Sequence, residues 1–242
     1  INTIVFEQAP GPPKGLRGEI LQPNGQQVLD RLGLLSQLPV ESTCTVRKFH
    51  FCRVGGERLC TVDYSELPPP YNQAVVTLPN VAHHAILSAI ERESSVSLRY
   101  RSAFTGLLRE NGRVVGLTAK QGEDHVTVKA KVVVGADGAF SKVREALQIP
   151  ADLHLYPQGY LIALLDAATP LGEAKYFVGK RTILGMFPAA GDKVYVFYMI
   201  KAGSYESVKE RGIAALQKSW IAIDPSSEAI FRTLMDWKQT AF

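Results

Sequence analysis

The chain has 242 residues, of which 46% are hydrophobic and 21% charged, and its formal charge is +4. That suffices for one large domain or two modest ones of ordinary globular composition. Its basic residues are scattered, which argues against nucleic acid as a partner, and no apolar run approaches the ~20 residues of a membrane-spanning helix.

The chain opens on Ile1-Asn2-Thr3-Ile4-Val5-Phe6, with no signal-peptide pattern. Ile4-Val5-Phe6 reads as a short buried strand ending in Glu7-Gln8. An acidic residue at such a tip can accept hydrogen bonds from ribose hydroxyls, although most are simply solvated strand ends. Ala9 to Gly15, rich in Pro and Gly, reads as a loop. Arg17-Gly18 and an apolar pair then lead into a helix through Leu32. Asn24 and Gln27 form a capping-box-like pair, Val28, Leu29 and Leu32 an apolar face, and Gly33 a stop. From Val46 the period becomes two. Residues 46–54, a Gly55-Gly56 turn and residues 58–64 form a hairpin that leaves His50 on the polar phase. Cys44, Cys52 and Cys60 match no zinc or redox spacing and read as packing residues, with a reducing cytoplasm as the expected compartment. After Leu78-Pro79, Asn80 is placed to cap a helix whose core face carries Val81, Ile86 or Leu87, and Ile90. His83 and His84 point about 100° apart on that helix and cannot chelate a metal together.

Phe104 to Val134 predicts a three-stranded meander, with Asn111-Gly112 as a type I′ turn. It feeds Val132-Val133-Val134-Gly135-Ala136-Asp137-Gly138, then Ser141 and Arg144. Three valines predict a strand buried on both faces. Gly135 and Gly138 allow positive φ or a close approach, and Ser141 caps the next helix. A strand end feeding a helix start is where open α/β sheets hold ligands, and also an ordinary connection. From residue 159 four strands follow, about 159–166, 173–178, 182–188 and 193–200, expected in one antiparallel sheet. Two helices close the chain, striped by Val208, Ile213, Leu216 and Trp220, and by Ile230, Leu234 and Trp237. Tyr176, Phe187, Tyr195, Phe197 and Tyr198 suit either an aromatic-ligand pocket or plain core. No Ser-His-Asp set, paired-carboxylate site or metal cluster stands out.

The Asp137-Gly138…Ser141…Arg144 segment resembles the "DG" motif of class A FAD-dependent aromatic hydroxylases, the p-hydroxybenzoate-hydroxylase-like and ubiquinone-biosynthesis-hydroxylase-like monooxygenases. Arg17-Gly18, the apolar pair and a helix ending Leu-Gly-Leu form a second resembling segment. The resemblance implies an α/β fold: an FAD/NAD(P)-binding Rossmann-like domain with a β-meander, interleaved with a substrate domain of antiparallel sheet and helices. It assigns 1–40 and 78–150 to the FAD domain, and 41–77 and 151–242 to the substrate domain. Neither Gly-x-Gly-x-x-Gly nor the later Gly-Asp segment is found, so the chain is expected to be truncated at both ends. Pro79 stands where the family commonly has Arg or Gln against the flavin. The implied cofactor contacts are Glu7, Gln8, Arg17, Gly18, Asp137 and Gly138, with Glu7 on the ribose and Arg17 on phosphates. The implied activity is hydroxylation of an aromatic, polyketide-like or quinone-precursor substrate with NAD(P)H and O2. Expected partners are that aromatic or isoprenoid-like small molecule and, as an assembly, a homodimer. A reductase or halogenase of the same fold, and a non-catalytic fragment that binds no FAD, are the alternatives.

Overall fold

A computed structural model of the chain describes residues 1–16 and 20–242; Arg17, Gly18 and Glu19 lie outside the described residues. In chain order the strands are β1 (Thr3–Phe6), β2 (Ile20–Leu21), β3 (Thr43–Val46), β4 (Lys48–Arg53), β5 (Arg58–Asp63), β6 (Ala74–Thr77), β7 (Val96–Arg99), β8 (Ser102–Glu110), β9 (Arg113–Gln121), β10 (Asp124–Lys129), β11 (Gln158–Asp166), β12 (Ala174–Gly179), β13 (Thr182–Ala189), β14 (Lys193–Lys201) and β15 (Thr240–Ala241). The α-helices are α1 (Pro23–Arg31), α2 (Val81–Arg92), α3 (Lys142–Ala146), α4 (Tyr205–Glu210), α5 (Ile213–Ile223) and α6 (Glu228–Phe231). They form two compact units, residues 1–13 with 87–155, and residues 14–86 with 156–242. Packing thus groups residues 14–40 and 78–86 with the second unit, whereas the functional division expected from sequence groups them with the cofactor segments.

In the first unit β1 pairs in parallel with β7, from Thr3↔Val96 to Phe6↔Arg99. The expected meander is present as β8, β9 and β10, all antiparallel. Asn111 and Gly112 have φ of 50° and 80°, as a type I′ turn requires. The valine run departs from expectation. Residues 132–138 join no sheet, and Val132 and Val134 are 75% and 79% exposed. A strand apolar on both faces needs a pairing edge and a layer on each face. The described residues give this segment only a groove of about 210 Å³ lined by Leu107, Val114, Val143 and Leu147. Helix α2, expected to bury an apolar face, has no buried residue.

The second unit holds a seven-stranded sheet in the order β15-β11-β14-β13-β12-β4-β5. All four late strands and the early hairpin are where the sequence placed them. They share one sheet because β12 pairs in parallel with β4, from Ala174↔Phe49 to Val178↔Arg53. The sheet is therefore mixed and not wholly antiparallel. Alternation sorts its side chains. Cys52, Phe177, Leu184, Met186, Val194 and Val196 face a core completed by Leu216, Trp220 and Phe231. Phe49, Phe187 and Tyr195 face the other way, toward Val46, Ala74 and Val76 of the small β2-β6-β3 sheet.

Three further local expectations are corrected. Helix α1 begins at Pro23, whose fixed φ suits the first helical position, and its N-cap is Gln22 without a side-chain bond, not Asn24. Its buried residues are Gln26 and Leu29, while Val28 and Leu32 are 55% and 64% exposed. Gln26 is drawn inward because its amide donates to the carbonyls of Leu21 and Gln73 at 2.9 and 2.6 Å. The first closing helix is two, α4 and α5, broken at Gly212 with φ 86°. The second is reduced to α6 and a 3-10 turn at Trp237–Gln239. Among the described residues no helix is long and apolar enough to cross a membrane.

Candidate functional site

The Asp-Gly corner is built from its own hydrogen bonds. One carboxylate oxygen of Asp137 accepts from the Ser141 hydroxyl. The other accepts from the backbone N–H groups of Lys142 at 2.7 Å and Val143 at 3.2 Å. Ser141 Oγ in turn accepts from the Arg144 N–H at 3.0 Å, as expected of the N-cap. The Arg144 guanidinium returns to the Ala139 carbonyl at 2.7 Å. Led by the Ser141 hydroxyl, these donors hold the Asp137 carboxyl below the usual carboxylate range. Asp137 therefore caps the helix from its own chain. It places a negative charge where the exposed amides of α3 would otherwise attract a phosphate.

The two glycines have different reasons. Gly138 takes φ +82° with open space where a side chain would begin. A backbone bare on that side suits close approach of a ligand. Gly135 instead admits protein, since a Cβ there would lie 2.8 Å from Val143 Cβ and Cγ1. It lets the Asp-Gly segment lie against α3.

Glu7 and Gln8 follow the carboxyl end of β1 in the same unit. Glu7 Oε1 accepts from the Ala9 N–H at 2.7 Å, which fixes the carboxylate at the strand tip. Gln8 is exposed. Glu7, Gln8, Asp137 and Gly138 thus share the first unit. The expected contacts Arg17 and Gly18 lie outside the described residues. A strand-tip carboxylate and an unobstructed glycine turn are features that fit a dinucleotide. The neighbouring strand tip, Arg99-Tyr100-Arg101, carries a pair of basic residues at the junction of two strand patterns, a signal present in the sequence itself.

His50 is corrected from exposed to 6% exposed. Its ring meets the Thr61 hydroxyl at 2.9 Å and the Glu173 carboxylate. Strand β4 lies inside the sheet, so its polar phase is covered as well. Burial pushes the Cys44 thiol up to about 11, which leaves it a protonated, weakly nucleophilic group donating to the Pro188 carbonyl. Cys52 is buried as expected; Cys60 is exposed, against expectation, because β5 is the sheet edge. A cleft of about 420 Å³ bounded by Glu41, Cys44, Leu171, Pro188 and Asp192 contains none of the expected cofactor contacts. The aromatic residues form a connected surface. Phe51 stacks on Tyr176 at 4.8 Å, and Phe187 meets Tyr176 and Phe197 edge-on at 5.1 Å each. Tyr195 and Phe187 are core, while Tyr176 and Phe197 are partly open. Tyr198 belongs to the opposite face, where it meets Trp220.

A parallel strand pair with an acidic tip, a meander and an Asp-Gly turn in the first unit, and a large mixed sheet in the second, are features of a dinucleotide-binding α/β chain. The protein belongs to the FAD-binding domain family, whose profile matches residues 1–229. It is 32% identical over 214 residues to 6-methylpretetramide 4-monooxygenase of Streptomyces rimosus, covering 85% of this chain and 49% of that protein. The chain thus spans about half the length of that relative. Among solved structures, Pseudomonas aeruginosa PqsL in complex with 2-aminobenzoylacetate superposes with a TM-score of 0.82 at 18% identity, covering 99% of this chain and 66% of that one. p-Nitrophenol 4-monooxygenase PnpA of Pseudomonas putida gives 0.77 at 17%, covering 91% and 56%. These two likenesses establish the fold.

Proposed function

We propose that the protein carrying this chain is an FAD-dependent monooxygenase that uses NAD(P)H and O2 to hydroxylate an aromatic, polyketide-like or quinone-precursor substrate. The observation that carries the reading is the family match over residues 1–229, which takes in the Asp-Gly corner and the aromatic-faced sheet together. The S. rimosus relative, by its name a monooxygenase, supports the reaction class. When bound, FAD supplies the electron transfer and the oxygen activation, so the chain needs no nucleophile of its own. We assign residues 1–40 and 78–150 to cofactor binding, and residues 41–77 and 151–242 to the substrate. Glu7 and Gln8 would accept from the ribose, Arg17 and Gly18 would approach the phosphates, and the Gly138 turn would pass close to the diphosphate. The partly open rings of Tyr176, Phe51 and Phe197 offer a flat apolar surface to an aromatic substrate and exclude water from it. Burial pushes the Tyr176 hydroxyl up to about 12, which keeps it a neutral donor on that surface. Three free cysteines agree with a reducing, cytoplasmic setting.

The test is a visible spectrum of the purified full-length protein, followed by NAD(P)H oxidation in the presence of candidate phenols. Flavin bands and phenol-stimulated oxidation with product one oxygen heavier are expected. A colourless protein that ignores added FAD would refute flavin binding. Flavin reduction without oxygen transfer to any phenol would refute the hydroxylase assignment.

A further inference from the structure

We infer that Arg99 is a cofactor-positioning residue that holds the adenosine half of the dinucleotide beside Glu7. The inference rests on the FAD-binding reading above and adds a residue to it. Phe6 and Arg99 are paired positions at the carboxyl ends of the parallel strands β1 and β7. Ligands of open α/β sheets bind beyond such ends. The backbone ladder continues past both strands. The Glu7 N–H donates to the Arg99 carbonyl, the Ser102 N–H to the Glu7 carbonyl, and the Arg101 N–H to the Ala9 carbonyl, each at 2.9 Å. The Arg99 backbone is therefore fixed next to that of Glu7, whose carboxylate is expected to take the ribose.

Its head group is placed by chemistry as well as by the backbone. The guanidinium carbon lies 5.8 Å from the centroid of the Phe6 ring. Among the described residues no ion pair occupies it, Glu7 included. A guanidinium is planar, stacks on π-faces and carries donors along its edge. Adenine offers a π-face and ring-nitrogen acceptors, and the ribose offers hydroxyls to Glu7. The two side chains thus present a donor and an acceptor at adjacent strand tips. The chain leaves the tip sharply, with Arg101 held at φ 53°. That left-handed backbone is uncommon for a residue with a side chain and recurs where a structure serves a site.

The bland alternative is that Arg99 merely covers Phe6. Two readings on the full-length protein separate them: FAD affinity by titration of the deflavinated protein, and the melting temperature of that flavin-free form. Arg99→Ala should raise the FAD Kd about tenfold and leave the flavin-free melting temperature unchanged. Arg99→Lys, which keeps the charge without the planar fork, should fall between. At saturating FAD the visible spectrum should match wild type, because the ring system of the flavin is remote from the adenosine. An unchanged Kd, or a Kd loss accompanied by a matching fall in melting temperature, would overturn the assignment. A wild-type protein that binds no FAD would instead overturn the flavin-binding reading on which it rests.

Discussion

At the scale of single residues, the Asp-Gly corner makes a claim that can be separated from cofactor contact. Asp137 uses both oxygens on Ser141, Lys142 and Val143, so its carboxylate stabilises the turn. Asp137→Ala should cost about 1 kcal/mol, the usual scale for removing a side-chain acceptor from the first amides of a helix. Flavin retention should fall with stability and not independently of it. Urea unfolding with FAD titration checks this; lost affinity at full stability would mean that the carboxylate touches the ligand. The pH sign follows from the lowered carboxyl pKa in the folded chain. The stabilisation is present above the unfolded-state value of about 3.9 and disappears as pH falls through the lower folded value. Asp137→Asn should therefore flatten the acid limb of the stability curve. Gly135→Ala is a steric counterpart. A new Cβ 2.8 Å from Val143 forces α3 to move, at about 1–3 kcal/mol. Adding Val143→Ala should recover part of that loss, because the two sites share one contact. Independent, additive losses in a denaturation series would show that the helix had not moved.

Among elements, the parallel junction of β4 and β12 turns a local hairpin into part of a seven-stranded sheet. It explains why His50, polar by alternation, is buried between Thr61 on β5 and Glu173 just before β12. His50→Leu should cost about 2 kcal/mol, since it removes two part-buried hydrogen bonds and one of these engages a carboxylate. Glu173→Gln should cost less, because that side chain is 46% exposed. Chemical denaturation of both variants decides it; a neutral His50→Leu would show that the cluster is solvated. This junction also marks where the sequence stopped being informative. Strands read from alternation, the Asn111-Gly112 turn and the Ser141 cap were legible because each rests on residues close in sequence. The β4–β12 pairing joins residues more than a hundred apart, and no local pattern encodes it. The valine run failed for the same reason: three valines announce burial, but burial needs partners that local sequence does not name. At α1, Pro23 at the first helical position decided the start, and the Gln26 amide found distant carbonyls that turned the helix. For the candidate site, Glu7 and Asp137 can be proposed from sequence alone, one at a strand tip and one in a motif. That Asp137 points into its own helix, and that Arg99 sits at the adjoining tip, required the fold.

At the scale of the whole chain, the two compact units differ in what holds them. Both clusters of buried hydrophobic residues lie in the second unit. In the first unit, the buried residues among those described are Ser102, Gly116, Ala119, Ser141 and Val143. Apolar burial is the main favourable contribution to folding, at roughly 25 cal/mol per Å², so the first unit opens at a lower free energy than the second. The residues expected to hold FAD are mostly in that weaker unit. A ligand that binds only the folded form stabilises it in proportion to RT ln(1 + [L]/Kd), about 2.7 kcal/mol at a hundredfold excess over Kd. Ligand and fold are therefore coupled most strongly where the fold is weakest. Hydrogen exchange on the flavin-free protein should show β1, β7 and the 132–147 segment exchanging well before β11 to β14. Saturating FAD should slow the first group by up to about a hundredfold and leave the second nearly unchanged. Equal protection of both units without FAD would contradict the stability argument. Protection that FAD spreads evenly over both units would show that they unfold as one cooperative body, and that cofactor binding acts on the chain as a whole.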